Sequence, residues 1–277
     1  MPNDAHYILG HTDLERRRLR DQATFMEQLT ARFLVDAGLR PGMRVLDVGS
    51  GFGDVSLLAA SLVRPGGCVV GIERDADAVT QATRRADELG AGDVSFVAGD
   101  LREAAVDGQF DAVIGRFVLM YIADPVVALT SVASHVRPGG IVAFQEWHPI
   151  DSFLAEPPVE LWTATGDMLV ETFRAAGTNV RLGLSLRAAY LAAGLPAPEL
   201  RVERLAGGGP DYLGYSFLAG LIRSIVPMIE HYGVSTAEAV DVATLEDRLR
   251  AEVVGANATV AFPAIVSARS RRPVDSQ

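Results

Sequence analysis

The chain has a single cysteine, Cys68, among 277 residues. No intramolecular disulfide can form within it, and a cysteine-rich zinc site is excluded. Positive charge is also short, with 25 Lys and Arg against 35 Asp and Glu and a formal net charge of -10. A polyanion binder normally needs a basic surface to release counterions, so a nucleic-acid partner is not expected. Long apolar runs are missing too. The most membrane-like stretch, YSFLAGLIRSIVPMI, is interrupted by Arg223 and Pro227 well before the roughly 20 apolar residues of a spanning helix. At the N-terminus, MPNDAHYILG lacks a basic segment leading into an apolar core, so no secretory signal is read and a cytoplasmic setting is expected. No His, Asp and Glu grouping has metal-ligand spacing, and no metal is expected. The remaining composition, 49% hydrophobic and 22% charged, is that of a globular chain able to bury one sizeable α/β core.

What is present alternates. Thr12-x-x-Glu15 forms a capping box that starts a helix near residue 13 and carries it to Gly38. Three Arg-Pro-Gly turns, at 40–42, 64–66 and 137–139, suit type II turns and precede apolar runs rich in Val and Ile. Those runs are MRVLDVG, CVVGIE and IVAFQEW, and DVSFVAGD and FDAVIGR are of the same kind. Helical stretches lie between them at Asp54 to Val63, Ala76 to Leu89 and Val126 to Val136. The order β-α-β-α-β-β-α-β implies a largely parallel sheet with helices on both faces. Residues 151–194 and 211–254 read as mostly helical, ELRVERL as a strand, ATVAFPAIVSAR as one last strand, and SRRPVDSQ as a disordered tail. No low-complexity linker divides the chain, which reads as one domain: a helical cover over 1–39, a cofactor half over 40–150, helical substrate-cap insertions over 151–268 and a tail over 269–277.

The chemistry concentrates in VLDVGSGFGD. A dinucleotide fingerprint requires G-x-G-x-x-G, but counting from Gly49 puts Asp54 in the place of the third glycine. A phosphate-binding P-loop is excluded because no Gly-Lys-Ser/Thr follows. Gly49, Gly51 and Gly53 still let the backbone turn sharply and approach a ligand closely. Asp47, Glu73 and Asp100 each fall at or near the carboxyl end of an expected strand, the edge at which open α/β sheets bind ligands. A site with three acids suits a zwitterion or cation better than a polyphosphate, and Glu73, 20 residues beyond Gly53, is placed to receive two ribose hydroxyls.

These segments resemble the class I S-adenosylmethionine-dependent methyltransferases. VLDVGSGFGD looks like their first motif, VVGIERD like the second and VAGDL like the third. FDAVIGRFVLMYIADP and VRPGGIVAFQEW look like the region of their fourth and fifth strands. The resemblance implies a Rossmann-like, doubly wound, seven-stranded, mostly parallel sheet with its last strand antiparallel, under a helical lid. It implies S-adenosyl-L-methionine as cofactor, with Asp47, Gly49, Gly51 and Gly53 around the methionine moiety. Glu73 would then bind the ribose diol, Arg74 pack on the adenine, Asp100 accept the adenine amino group and Leu101 supply a backbone contact. Arg116 and Phe117 would close the methionine end. The N-terminal segment resembles one that closes over the cofactor in a bacterial subgroup, which would bring Tyr7 and Gln22 to the methionine end.

Methyl transfer needs a base only where the acceptor must lose a proton. His148 and Glu146, in FQEWHP at the end of the fifth strand, are the candidate catalytic residues, and His148 has the better-suited ordinary pKa; His148 reads also as a structural residue at the start of a Pro-containing loop, and Glu146 equally as a loop cap or an arginine partner. Tyr121 and His231 are weaker candidates. Leu161, Trp162, Met168, Phe173, Tyr212, Tyr215, Phe217 and Met228 read equally as an apolar acceptor lining or as plain core. The expectation is a small-molecule methyltransferase, monomer or homodimer, acting on a small hydrophobic or aromatic acceptor, with O- or N-methylation ahead of C-methylation. Alternatives are a cyclisation or rearrangement on the same fold, a non-enzymatic cofactor-binding partner, and a nicotinamide oxidoreductase, which the missing third glycine disfavours.

Overall fold

The structure, a computed structural model, describes residues 13–100, 108–149 and 152–274, with side chains along the first helix described from Phe25 onward. The first helix, α1 (Asp13–Ala37), leads into the alternating half: β1 (Arg44–Val48), α2 (Asp54–Val63), β2 (Cys68–Glu73), α3 (Ala76–Glu88) and β3 (Val94–Ala98). There follow β4 (Phe110–Arg116), a single 3-10 turn (Leu119–Tyr121), α4 (Pro125–His135) and β5 (Val136–His148). The second half runs β6 (Leu154–Glu156), α5 (Glu160–Ala175), α6 (Leu182–Ala192), β7 (Glu199–Glu203), β8 (Ala206–Gly207) and α7 (Gly214–His231). It ends with α8 (Ala237–Val240), α9 (Leu245–Gly255), β9 (Thr259–Ala261) and β10 (Ala264–Arg271).

Seven strands form the main sheet in the order β3-β2-β1-β4-β5-β10-β7. β1 to β5 are parallel, and β10 runs antiparallel between β5 and β7. The order reverses beside β1, so the carboxyl ends of β1 and β4 flank the switch point where such sheets open a crevice. Side chains alternate across the sheet with period two. From β1, Val45 enters the core shared with α1 and α2, whereas Leu46 and Val48 enter the core shared with α4 and α6. Each large aliphatic side chain so buried is worth about 1.5–3 kcal/mol. Local signals fix the helix starts. The Asp75 carboxylate accepts the N–H groups of Asp77 and Ala78, and that of Asp124 accepts those of Val126 and Val127 ahead of Pro125. Caps of this kind contribute about 1 kcal/mol each.

The second half departs from the expected pattern in three places. ATVAFPAIVSAR is not one strand. It splits at Pro263, which has no N–H to extend a ladder. β9 before it joins a separate three-stranded sheet, β6-β9-β8, and β10 after it enters the main sheet. The stretch 151–194, read as mostly helical, therefore begins with a short strand whose partner lies about a hundred residues away. The expected disordered tail is paired for part of its length, since Ser270 and Arg271 lie in β10 and Arg272 exchanges backbone hydrogen bonds with Gly139 and Gly140. α1 lies along α7 and also touches α2, β5 and β10. Among the described residues, no helix is long and apolar enough to cross a membrane.

Candidate functional site

The turn after β1 is shaped by its glycines. All three have positive φ, and at two of them a close neighbour also excludes a side chain. A Cβ on Gly49 would come within 2.5 Å of Val118, and one on Gly53 within 2.6 Å of the Phe96 ring. A Cβ on Gly51 would meet nothing within 4 Å, so this position faces open space. Beside it, the buried hydroxyl of Ser50 has no hydrogen-bond partner.

Asp47 lies below this turn, 1% exposed, and accepts the Ser56 hydroxyl of α2 at 2.6 Å. Burial pushes its carboxyl up to about 7, and Glu73 and Asp54 add to the rise, while the Ser56 hydrogen bond and the Arg116 charge oppose it. Asp54 is paired with Arg85 of α3. Glu73, at the end of β2, is also buried. Its carboxylate accepts the Gly51 N–H at 2.9 Å and those of Arg74 and Asp75 at 2.7 and 3.1 Å. It thus joins the glycine turn to the start of α3. Asp100 does not stand alone after β3, because Arg74 donates to it through Nε at 2.9 Å and closes an ion pair with Nη2. Arg74 and Asp100 therefore form one unit on the rim.

Beyond β4, Arg116 donates to the Thr30 hydroxyl of α1 at 3.2 Å, which ties the covering helix to the sheet. Phe117 holds φ at 54°, a left-handed conformation that costs a bulky residue about 1–3 kcal/mol and recurs at ligand sites. Its N–H donates to the Gln145 carbonyl at 2.8 Å. Glu146 is 0% exposed, and its two oxygens accept the N–H groups of Val118, Leu119 and Met120 at 3.2, 2.8 and 3.3 Å. Burial pushes its carboxyl up to about 8 against the lowering effect of those three bonds. Fully enclosed and turned onto the backbone of 118–120, Glu146 fits the loop-capping alternative better than a base facing an acceptor.

His148 is 7% exposed. Its Nδ1 is 2.9 Å from the Arg181 carbonyl and 3.3 Å from the Leu184 N–H. The shorter contact assigns the proton to Nδ1 and leaves the lone pair on Nε2. Burial lowers its pKa, the hydrogen bond to Arg181 partly offsets that, and the Arg181 charge lowers it further, so the ring is neutral near pH 7.

Four aromatic side chains run in file across this end of the sheet. Phe117 meets Trp147 edge-on at 5.6 Å between centroids, Trp147 meets Phe173 of α5 at 6.2 Å, and Phe173 meets Tyr121 at 6.4 Å. Phe173 is buried, whereas the other three are only partly so. Trp162, Tyr215 and Phe217 pack with Phe153 and Phe262 in an aromatic core that Phe173 also enters and Trp147 flanks. Leu161 and Met168 line a separate groove of about 720 Å³ against Val234 and Leu245. His231 is exposed at the far end of α7 against Tyr232.

The structure thus gathers Asp47, Gly49, Gly51, Gly53, Glu73, Arg116 and Phe117 at adjoining strand ends, with the Arg74–Asp100 pair at the edge. Tyr7 and Leu101 lie outside the described residues, and of Gln22 only the helical backbone is described. Sequence reading missed Thr30, Ser56 and Trp147. No local signal marks Thr30 or Ser56. Trp147, between the two candidate bases, was open to notice as a large aromatic side chain at a strand end. Among the described residues, no group of three or more His, Cys, Asp or Glu could hold a metal.

A family model described as a methyltransferase domain matches residues 39–179. The chain is 34% identical over 163 residues to a demethylmenaquinone methyltransferase of Beutenbergia cavernae, covering 55% of this chain and 65% of that protein. It is 36% identical over 117 residues to a nocamycin O-methyltransferase of Saccharothrix syringae, covering 42% of each. The chain spans between 39% and 65% of the length of the first curated relatives it matches. In fold it is similar to the [4+2]-cyclase SpnF, with a TM-score of 0.54 and 22% identity over 90% of this chain and 81% of that one.

Proposed function

The chain belongs to the class I S-adenosylmethionine-dependent methyltransferases, and on that premise we propose that it methylates an oxygen or nitrogen of a small, flat, apolar acceptor. The aromatic file Phe117–Trp147–Phe173–Tyr121 carries the acceptor reading. It supplies ring faces and edges beside the strand ends, and aromatic surface recognises flat apolar molecules through burial and ring stacking.

The residues present fit the cofactor. The open space at Gly51, the unpartnered Ser50 hydroxyl and the carboxylates of Asp47 and Glu73 suit a ligand carrying positive charge and hydroxyl groups. Asp47 and the glycine turn would hold its methionine part, Glu73 its ribose, and Arg74, Asp100 and Leu101 its adenine. Arg116 and Phe117, with Tyr7 and Gln22 of the N-terminal segment, would close the methionine end. When bound, the cofactor supplies an electrophilic methyl group on a sulfonium. For the rest, the chain's residues orient the acceptor and exclude water, effects that can provide much of the rate in an in-line displacement. His148, neutral and fixed through Nδ1, offers Nε2 as the base for an acceptor O–H or N–H.

Incubation with methyl-labelled S-adenosylmethionine and a panel of phenols, aromatic amines and aliphatic alcohols tests this proposal. Label should appear on oxygen or nitrogen of the aromatic members. Label on carbon would overturn the choice of acceptor atom, and conversion of substrate without label would favour rearrangement.

A further inference from the structure

The buried carboxylate of Glu146 has no substrate-facing atom to offer, yet it is placed where it governs the cofactor side. Three consecutive N–H groups, from Val118 to Met120, converge on its two oxygens. They belong to the turn that follows Phe117, whose φ of 54° is uphill for that side chain unless neighbouring contacts hold it. The same turn is locked against the glycine loop, because Val118 fills the space that a Cβ on Gly49 would take. On its other side, Phe117 is tied by its N–H to the carbonyl of Gln145, the residue before Glu146. β5 therefore grips the turn twice, once by backbone and once by a side chain.

We infer that Glu146 is a positioning residue that fixes the 117–120 turn and thereby sets the place of Phe117 and of the Gly49 loop against the cofactor. This rests on the reading of this sheet end as the cofactor site. A carboxamide of the same shape cannot serve all three donors, since its NH2 group would face at least one N–H group instead of accepting from it. Glu146→Gln therefore leaves at least one buried donor unmet. The loss is local, because all three of these hydrogen bonds go to the one turn.

The test is calorimetric titration of S-adenosylhomocysteine into wild type, Glu146→Gln and Val253→Ala. The last variant loses core packing in α9, away from the turn. The inference expects Glu146→Gln to bind at least about tenfold more weakly, while Val253→Ala binds as wild type despite a lower Tm. Trp147 supplies a second readout. It contacts Phe117 directly, and with Trp162→Phe as background it is the sole tryptophan, so Glu146→Gln should shift its emission. Equal affinity and unchanged emission in Glu146→Gln would overturn the inference alone. Failure of wild type itself to bind would overturn the cofactor reading and this inference with it. If Glu146→Gln does not fold, hydrogen exchange on wild type decides. The amides of 118–120 should be strongly protected, and exchange as fast as in exposed turns would refute the grip.

Discussion

Asp47→Asn should make the protein more stable and a poorer cofactor binder, and the first effect should depend on pH in a calculable way. Burial is the main reason that the Asp47 carboxyl rises from an ordinary 3.8 to about 7. In the unfolded chain the group loses its proton near 3.8, while the native chain keeps it up to about 7. Throughout that window the native state binds the extra proton, so stability falls as pH rises and levels off above 7. A rise of that size corresponds to about 4 kcal/mol lost at high pH relative to strong acid, of which about 2 kcal/mol is lost between pH 5 and 7. Asparagine keeps an oxygen for the Ser56 hydroxyl and never ionises, so the variant escapes this loss. The Tm advantage of Asp47→Asn over wild type should widen by roughly 5 °C or more between pH 5 and pH 8.5. Glu146, pushed up to about 8 by burial, adds a slope of the same sign to both proteins and cancels in the difference. Thermal unfolding followed by circular dichroism across that range measures the effect. A gap that stays constant with pH, or narrows as pH rises, would refute the argument. Titration of the same variant with S-adenosylhomocysteine should show affinity reduced at least about tenfold, as expected where a strained charge is retained for a ligand.

Three further outcomes follow from the geometry. Gly51→Ala and Gly90→Ala place a side chain at similar positive φ, 51° and 63°, with nothing within 4 Å of either. Both should lose about 1–2 kcal/mol of stability, but only Gly51→Ala should lose S-adenosylhomocysteine binding by calorimetry, and equal binding would remove Gly51 from the cofactor site. His148→Gln should bind S-adenosylhomocysteine as wild type yet turn over hydroxyl acceptors at least about a hundredfold more slowly. The wild-type pH–rate profile should rise through a value below the ordinary 6.5 and then stay flat, because burial lowers the His148 pKa; an unchanged profile in the variant would exclude His148 as the base. Trp147→Ala should raise KM for aromatic acceptors about tenfold without altering cofactor affinity, and an unaltered KM would dismiss the aromatic file as the acceptor wall.

The donor half was legible because its determinants are local. An apolar run, an acid and alternate glycines specify a strand, a turn and a helix within a short span, and α2 falls on the expected Asp54–Val63. Nearby acids at the ends of β2 and β3 follow from the same alternation. The second half was less legible because its determinants are remote. β6 exists only by pairing with β9, and the division between β9 and β10 depends on which sheet can receive each side of Pro263. Apolar aromatic residues at helical spacing were likewise ambiguous. Trp162 and Phe173 lie on the same helix, yet Trp162 closes a core against Phe262 while Phe173 turns towards Trp147. Nothing in the spacing of α5 separates the two, because the distinction is made by Trp147 of β5 and by Phe262, which follows β9.

The end of β5 shows the same limit at the scale of four residues. In Gln145-Glu146-Trp147-His148, the sequence offers two ionisable side chains, Glu146 and His148, which leave an extended strand on the same face. The structure separates them by partner. Gln145 donates across to Ser267 of β10, Glu146 collects the N–H groups of the turn after β4, Trp147 packs between Phe117 and Phe173, and His148 is oriented by the Arg181 carbonyl before α6. Four consecutive residues thus bind four different elements together at the end of β5. Of the two ionisable groups, only His148 retains a ring nitrogen uncommitted to these contacts. The division of roles at this strand end therefore rests on which backbone groups each side chain finds after folding: Glu146, though the stronger acid in isolation, is spent on the turn, and His148 is held through Nδ1 alone.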